Sequence, residues 1–182
     1  MRNLTFVLAL TLVTVGAVAF TSSSVRAQGA AQDPTIASVK LTYDVAKGYI
    51  SKSATMVPQD KLAYQPTKEV RTMGQLFGHI ANSSYMICSL ASGMKSTATG
   101  DAEKLTTKAD LEKAVAGAMA FCDHAMAMIT TANANETVDL FGMKHTRLGA
   151  MAFNSAHLFE HYGNLVTYMR MNGIVPPSSG GK

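Results

Sequence analysis

The sequence predicts an all-α domain built as a four-helix bundle. Four segments of roughly 20 residues each place apolar side chains at steps of three and four, and no stretch of any length alternates apolar and polar as a strand does. Four amphipathic helices of that length bury their stripes most economically against one another. The chain that follows an N-terminal leader is of a size that suits one domain.

The first helix is expected over residues 34–55. Asp33 is its N-cap, and Pro34 fits its first position, where a missing N–H costs nothing. Ile36, Val39, Tyr43, Ala46 and Ile50 form its stripe. A loop carrying Pro58, Gln59 and Asp60 follows, then a short turn to Pro66. The second helix starts near Arg71 or Thr72 and carries Leu76, Phe77, Ile80, Ser83 and Ile87 to about Ser92. Residues 93–106 read as a polar connection rich in Gly, Ser and Thr. The third helix starts at Thr107, a capping side chain three before Asp110, and runs through Leu111, Val115, Met119, Cys122, Met126 and Ile129. Residues 133–144 read as loop, with a short extended piece at 138–141. The last helix, 146–172, is the longest; Gly173 ends it and Pro176-Pro177 cannot continue it.

The ends are not part of that bundle. Arg2, an apolar run from Leu4 to Phe20, and Val25-Arg26-Ala27 read as a secretory signal peptide cut after Ala27. The expected organisation is therefore a signal peptide at 1–27, the helical domain at 28–177 and a flexible tail at 178–182. The destination is periplasmic or secreted, with no stable membrane association once the leader is removed. The formal charge of +4 loses Arg2 and Arg26 with the leader, which leaves +2. The remaining basic residues are scattered, and nucleic-acid binding needs them clustered on one face, so nucleic acid is excluded as a partner. Export also bears on the two cysteines. In an oxidising compartment Cys88 and Cys122 form a candidate disulfide, with two buried thiols as the alternative.

The histidines carry the chemistry. His157 and His161, in HLFEH, lie about 40° apart on a helix and stack one turn above the other. This is the spacing with which a helix offers two ligands to one metal. His79 stands mid-helix beside Gly78, a poor helix former whose presence next to a polar residue points to close approach of another helix or a ligand. The three make the three-imidazole set of an open zinc-type site. Against that stands the reading of all three as structural histidines hydrogen-bonded in the core. His124 reads as a solvated-face residue and His145 as a loop residue at the entrance to the last helix.

Other metal chemistries are excluded by what is missing. HLFEH matches the H-x-x-E-H string of inverted zinc peptidases, but no Asp or Glu follows His161 to complete such a site. No Glu-x-x-His occurs for a di-iron bundle, and no C-x-x-C-H for c-type haem. Met126 and Met128, like Met169 and Met171, diverge by about 200° on a helix and cannot grip one ion, so the methionines read as core filler.

Two stretches, VPQDKLAYQPTKEVRTMGQLFGHIANSSY and AHLFEHYGNLVTYMRMNGIVPPSS, resemble the DinB-like superfamily of four-helix-bundle metalloproteins. The matching features are Pro66 in the lead-in, a histidine midway along the second helix, and a final helix reading H-x-x-x-H-x-G-[QN]-[LI]. The resemblance implies that His79, His157 and His161 bind a divalent ion, zinc or nickel. It implies a homodimer and a metal-dependent transferase, isomerase or hydrolase acting on a small molecule, which the sequence does not name. The alternative is a non-catalytic, dimerising bundle that binds metal or a small ligand. Tyr162 stands where an arginine often follows the second histidine, and the tryptophan common near the second helix is absent. Asn82, Asn154, Glu160, Asn164 and Tyr168 are the residues expected around the metal or its pocket, with Glu160 nearer the rim than the metal.

Overall fold

The computed structural model describes residues 33–180; the expected leader and its cleavage point lie outside them. Four helices dominate: α1, Pro34–Met56; α2, Met73–Ser92; α3, Lys108–Ala127; and α4, Arg147–Met171. Each starts on a side chain that satisfies otherwise orphaned backbone N–H groups. Asp33 accepts from the amides of Thr35 and Ile36, Thr107 from Asp110 and Thr146 from Gly149. Thr72 and Gln75 close a reciprocal capping box at the start of α2. At the other ends, Gly93 and Gly173 take the left-handed conformation that stops a helix.

Helix α2 packs between α3 and α4, and α1 closes the ring against the same two helices. The stripe read from α1 points inward: Ile36, Tyr43, Ala46 and Ile50 are buried, with Val39 packed at its edge. They meet Phe77, Ile80 and Ile87 of α2, Leu111 and Val115 of α3, and Leu158, Leu165 and Met169 of α4 in one continuous core. Helix α1 is also tied down at its C-terminus, where Lys108 Nζ donates to the carbonyls of Ala54, Thr55 and Val57. Among the described residues no helix is long and apolar enough to cross a membrane.

Three connections differ from the sequence reading. The loop expected before α4, with its short extended piece at 138–141, is an antiparallel hairpin: that piece is β1, Thr137–Leu140, and it pairs with β2, Met143–Thr146, Thr137 opposite Thr146 and Leu140 opposite Met143. Its two turn residues, Phe141 and Gly142, both have positive φ, the geometry that matches strand twist. Only Gly142 announces that turn. Phe141 is an uncommon choice for it, and strands of four residues are too short to show a period. The polar connection after α2 contains a one-turn helix, Ala102–Lys104, capped by Asp101. The tail expected from residue 178 starts with another such turn, Pro177–Ser179, held to α4 by Tyr162 and Arg170. Tyr162 Oη both donates to Ser178 Oγ and accepts from Ser178 N, an anchorage that a count of small residues does not reveal.

Candidate metal centre

The seam between α2 and α4 brings His79, His157 and His161 together. One nitrogen from each lies within 4.8 Å of the others. The rings of His157 and His161 stand nearly edge to face, with their Nε2 atoms 3.0 Å apart. Their Nδ1 atoms are buried and have no partner, so within the chain these two rings bond chiefly to each other. Burial lowers the pKa of His157 to about 4, and neighbouring imidazoles reinforce the shift. Burial likewise lowers that of His161, with His79 adding to the effect. Both rings are therefore neutral near pH 7, the state in which an imidazole binds metal.

His79 is oriented from outside the trio. Its Nδ1 lies 2.8 Å from Glu103 Oε1. Partial burial pushes the Glu103 carboxyl up, but hydrogen bonds from Arg71 and His79 outweigh burial and hold it below the ordinary range. An ionised carboxylate only accepts, so the proton between them sits on His79 Nδ1. Its Nε2 is left with a lone pair, 3.3 Å from Ser83 Oγ. Arg71 in turn grips Glu103, with Nε 3.0 Å from Oε2. A carboxylate behind a histidine is the usual support of a metal-binding imidazole, because it fixes the tautomer and raises ligand basicity.

These residues fit a divalent metal by their chemistry. A cation between the Nε2 lone pairs of His157 and His161 would replace a single N–H···N contact with two ligand bonds, and His79 Nε2 is presented as the third. His79, His157 and His161 can thus hold one ion, with Glu103 and Arg71 behind His79.

Residues 44–165, which span all three histidines, match the DinB superfamily model. The chain belongs to the DinB superfamily. Two solved structures share the superfamily's bundle with it. A DinB-like protein from Bacillus cereus superposes with a TM-score of 0.67 at 17% identity, over 76% of this chain and 93% of that one. A DinB-like protein from Bacillus subtilis gives 0.57 at 17% identity, over 75% and 92%. At that identity the likeness concerns the fold alone. No curated protein matches the chain.

The other residues singled out in the sequence divide. Glu160, Asn164 and Tyr168 line an open cleft of about 580 Å³ together with Arg71, Glu103 and His161. Tyr168 Oη donates to the Arg71 carbonyl, which fastens α4 to the lead-in of α2. Asn82 faces a different direction. Its Nδ2 donates to Asp101 and its Oδ1 accepts from Ala102 N, so it secures the Ala102–Lys104 turn. Asn154 is fully buried with Nδ2 3.8 Å from Cys122 Sγ, in the core beside the Cys88–Cys122 disulfide. His124 is exposed, and His145 sits on β2 opposite Val138, near Phe153, outside the trio.

Glu103 is the residue that sequence reasoning missed. The signal for it was Gly78. A Cβ there would lie 2.6 Å from Glu103 N and closer still to the Ala102 carbonyl. The close approach that Gly78 announces is that of the Ala102–Lys104 backbone, which delivers Glu103 to His79.

Two outcomes follow from this geometry. Glu103→Ala should lower metal affinity roughly 10–100-fold, whereas Glu103→Gln, whose amide oxygen still accepts from Nδ1, should lose less; competition against a chelating dye measures both. Stability also responds to pH in a set direction. Below pH 6.5 the unfolded chain takes up protons that folded His157 and His161 refuse. The metal-free protein therefore loses stability as pH falls from 6.5 towards 4, and chemical denaturation across that window reads the slope.

Proposed function

We propose that this DinB superfamily protein is a metal-dependent enzyme that acts on a small molecule, by group transfer or hydrolysis, with zinc or nickel held by His79, His157 and His161. One observation carries the reading: the histidine trio adjoins a polar cleft through His161, so a bound ion has substrate-sized space beside it. When bound, the ion supplies Lewis-acid polarisation and lowers the pKa of a coordinated water or thiol. Three protein ligands leave a coordination position for that group.

The chain's own residues divide the remaining work. Glu103 and Arg71 keep the His79 Nε2 lone pair aimed at the ion. The low basicity of His157 and His161 keeps them available as ligands into mildly acidic solution. Glu160, Asn164 and Tyr168 stand along the cleft, where their oxygen and nitrogen atoms can orient a substrate. The leader-like N-terminus supports placing the protein outside the cytoplasm, and the buried Cys88–Cys122 disulfide agrees with it.

A turnover screen of the metal-loaded protein with thiols, esters and epoxides tests the reading. Activity that disappears on chelation and returns with zinc or nickel supports it. Activity that survives metal removal contradicts the mechanism. Stoichiometric metal binding with no turnover favours a non-catalytic binding bundle.

A further inference from the structure

We infer that Asn154 is a positioning residue for the metal centre: its Oδ1 accepts the Nδ1–H of His157 when an ion is bound. The inference rests on the metal-binding role proposed above for the three histidines. Among the described residues, four buried side-chain atoms lack a hydrogen-bond partner: Ser84 Oγ, Asn154 Oδ1, His157 Nδ1 and His161 Nδ1. Buried polar atoms are nearly always paired, so each of these calls for a cause. Three of the four lie within about two turns of one another on α4.

Metal binding makes donors of both ring atoms. The Nε2 atoms of His157 and His161 meet at 3.0 Å, so an ion held between them takes both Nε2 lone pairs. Each neutral ring then carries its proton on Nδ1, a buried N–H with nothing to accept it. Ligating histidines almost always donate that second N–H, which fixes the tautomer and raises ligand basicity. His79 already has Glu103 for this purpose. On the α4 side, Asn154 Oδ1 is the unpaired atom that can only accept, and its residue is fully buried.

Helix geometry brings the two side chains together. Asn154 stands three residues before His157, a spacing that makes them neighbours on the helix surface. Side chains of a helix lean towards its N-terminus, which carries the His157 ring over the turn that holds Asn154. The His161 ring lies a turn further on and covers the turn of His157 instead. The other end of the amide is lightly held. Asn154 Nδ2 lies 3.8 Å from Cys122 Sγ, a long contact to a weak acceptor. Turning Oδ1 to His157 therefore sacrifices no strong hydrogen bond.

Zinc titration and NMR spectra of protein carrying isotope-labelled histidine test the assignment. In the zinc-loaded parent, the Nδ1–H proton of His157 should give a slowly exchanging signal. Asn154→Leu, which has no acceptor, should shift or erase that signal and lower zinc affinity roughly tenfold. Asn154→Asp, which keeps an acceptor in place, should retain both the signal and the affinity. Asn154→Ala replaces the leucine variant if circular dichroism shows that leucine disturbs the helices. A purely structural amide would change the stability of the metal-free variants and leave the signal and zinc affinity alone. Parent-like zinc affinity in Asn154→Leu, an unchanged His157 signal, or an Asn154→Asp variant as weak as Asn154→Leu would overturn the proposal and leave the three-histidine site standing. Failure of the parent to bind zinc would overturn both.

Discussion

Alanine at His157 or at His161 is expected to abolish divalent-metal binding, while alanine at His124 should leave it intact. The two active positions face each other at 3.0 Å between Nε2 atoms in the α2–α4 seam, and His124 is exposed and outside the trio. Losing one ligand of three removes a direct bond to the ion. The fall in affinity should therefore exceed the roughly 10–100-fold seen when only a supporting residue is lost. Isothermal titration with zinc or nickel measures it, and circular dichroism of each variant shows that the helices persist. His161 is 7% exposed, so its truncation also leaves a gap in the wall of the cleft. His157 is half-buried and gives the cleaner comparison. Full binding by both variants would remove these residues from the site.

Removing the disulfide has the largest expected effect on stability. Cys88 and Cys122 are fully buried and 34 residues apart, and the loop they close contains the Ala102–Lys104 turn. The chain-entropy account puts the stabilisation from a loop of this length at about 4 kcal/mol. For a domain of this size that corresponds to a drop in Tm of roughly 8–16 °C. The Cys88→Ala/Cys122→Ala double variant, unfolded thermally beside the oxidised parent, measures it without leaving a buried thiol. A Tm within about 2 °C of the parent would mean that the crosslink adds little to the packing of α2 on α3.

Much of this molecule is legible in its sequence because the determinants are local. Asp33, Thr72, Thr107 and Thr146 cap the four helices, and Gly173 stops the last one, each acting within a few residues of itself. The His157–His161 pair is local too, a spacing of four on one helix. His79 joins them across the bundle, and it was the mid-helix histidine beside a glycine that marked it. What stayed hidden depends on contacts between distant segments. Glu103 lies 24 residues from His79 in a stretch with no helical period, and only the approach of its backbone to Gly78 gives it a role. Asn82 and Asn154 share faces with the histidines on a helical projection. One turns to the Asp101–Ala102 backbone and the other to the disulfide, because bundle geometry sets which neighbour each face meets. The extended piece expected at 138–141 is β1, but its pairing with β2 escaped because strands this short show no period, and Phe141 stands at a turn position that usually takes Gly, Asn or Asp.

The metal content of the protein purified without a histidine tag tests the central claim most directly. After incubation with zinc or nickel and removal of free ion, elemental analysis should give about one metal per chain, and the same protein with His79, His157 and His161 all replaced by alanine should give none. Less than about 0.1 metal per chain for the unaltered protein would contradict the account and make the histidine trio a structural cluster.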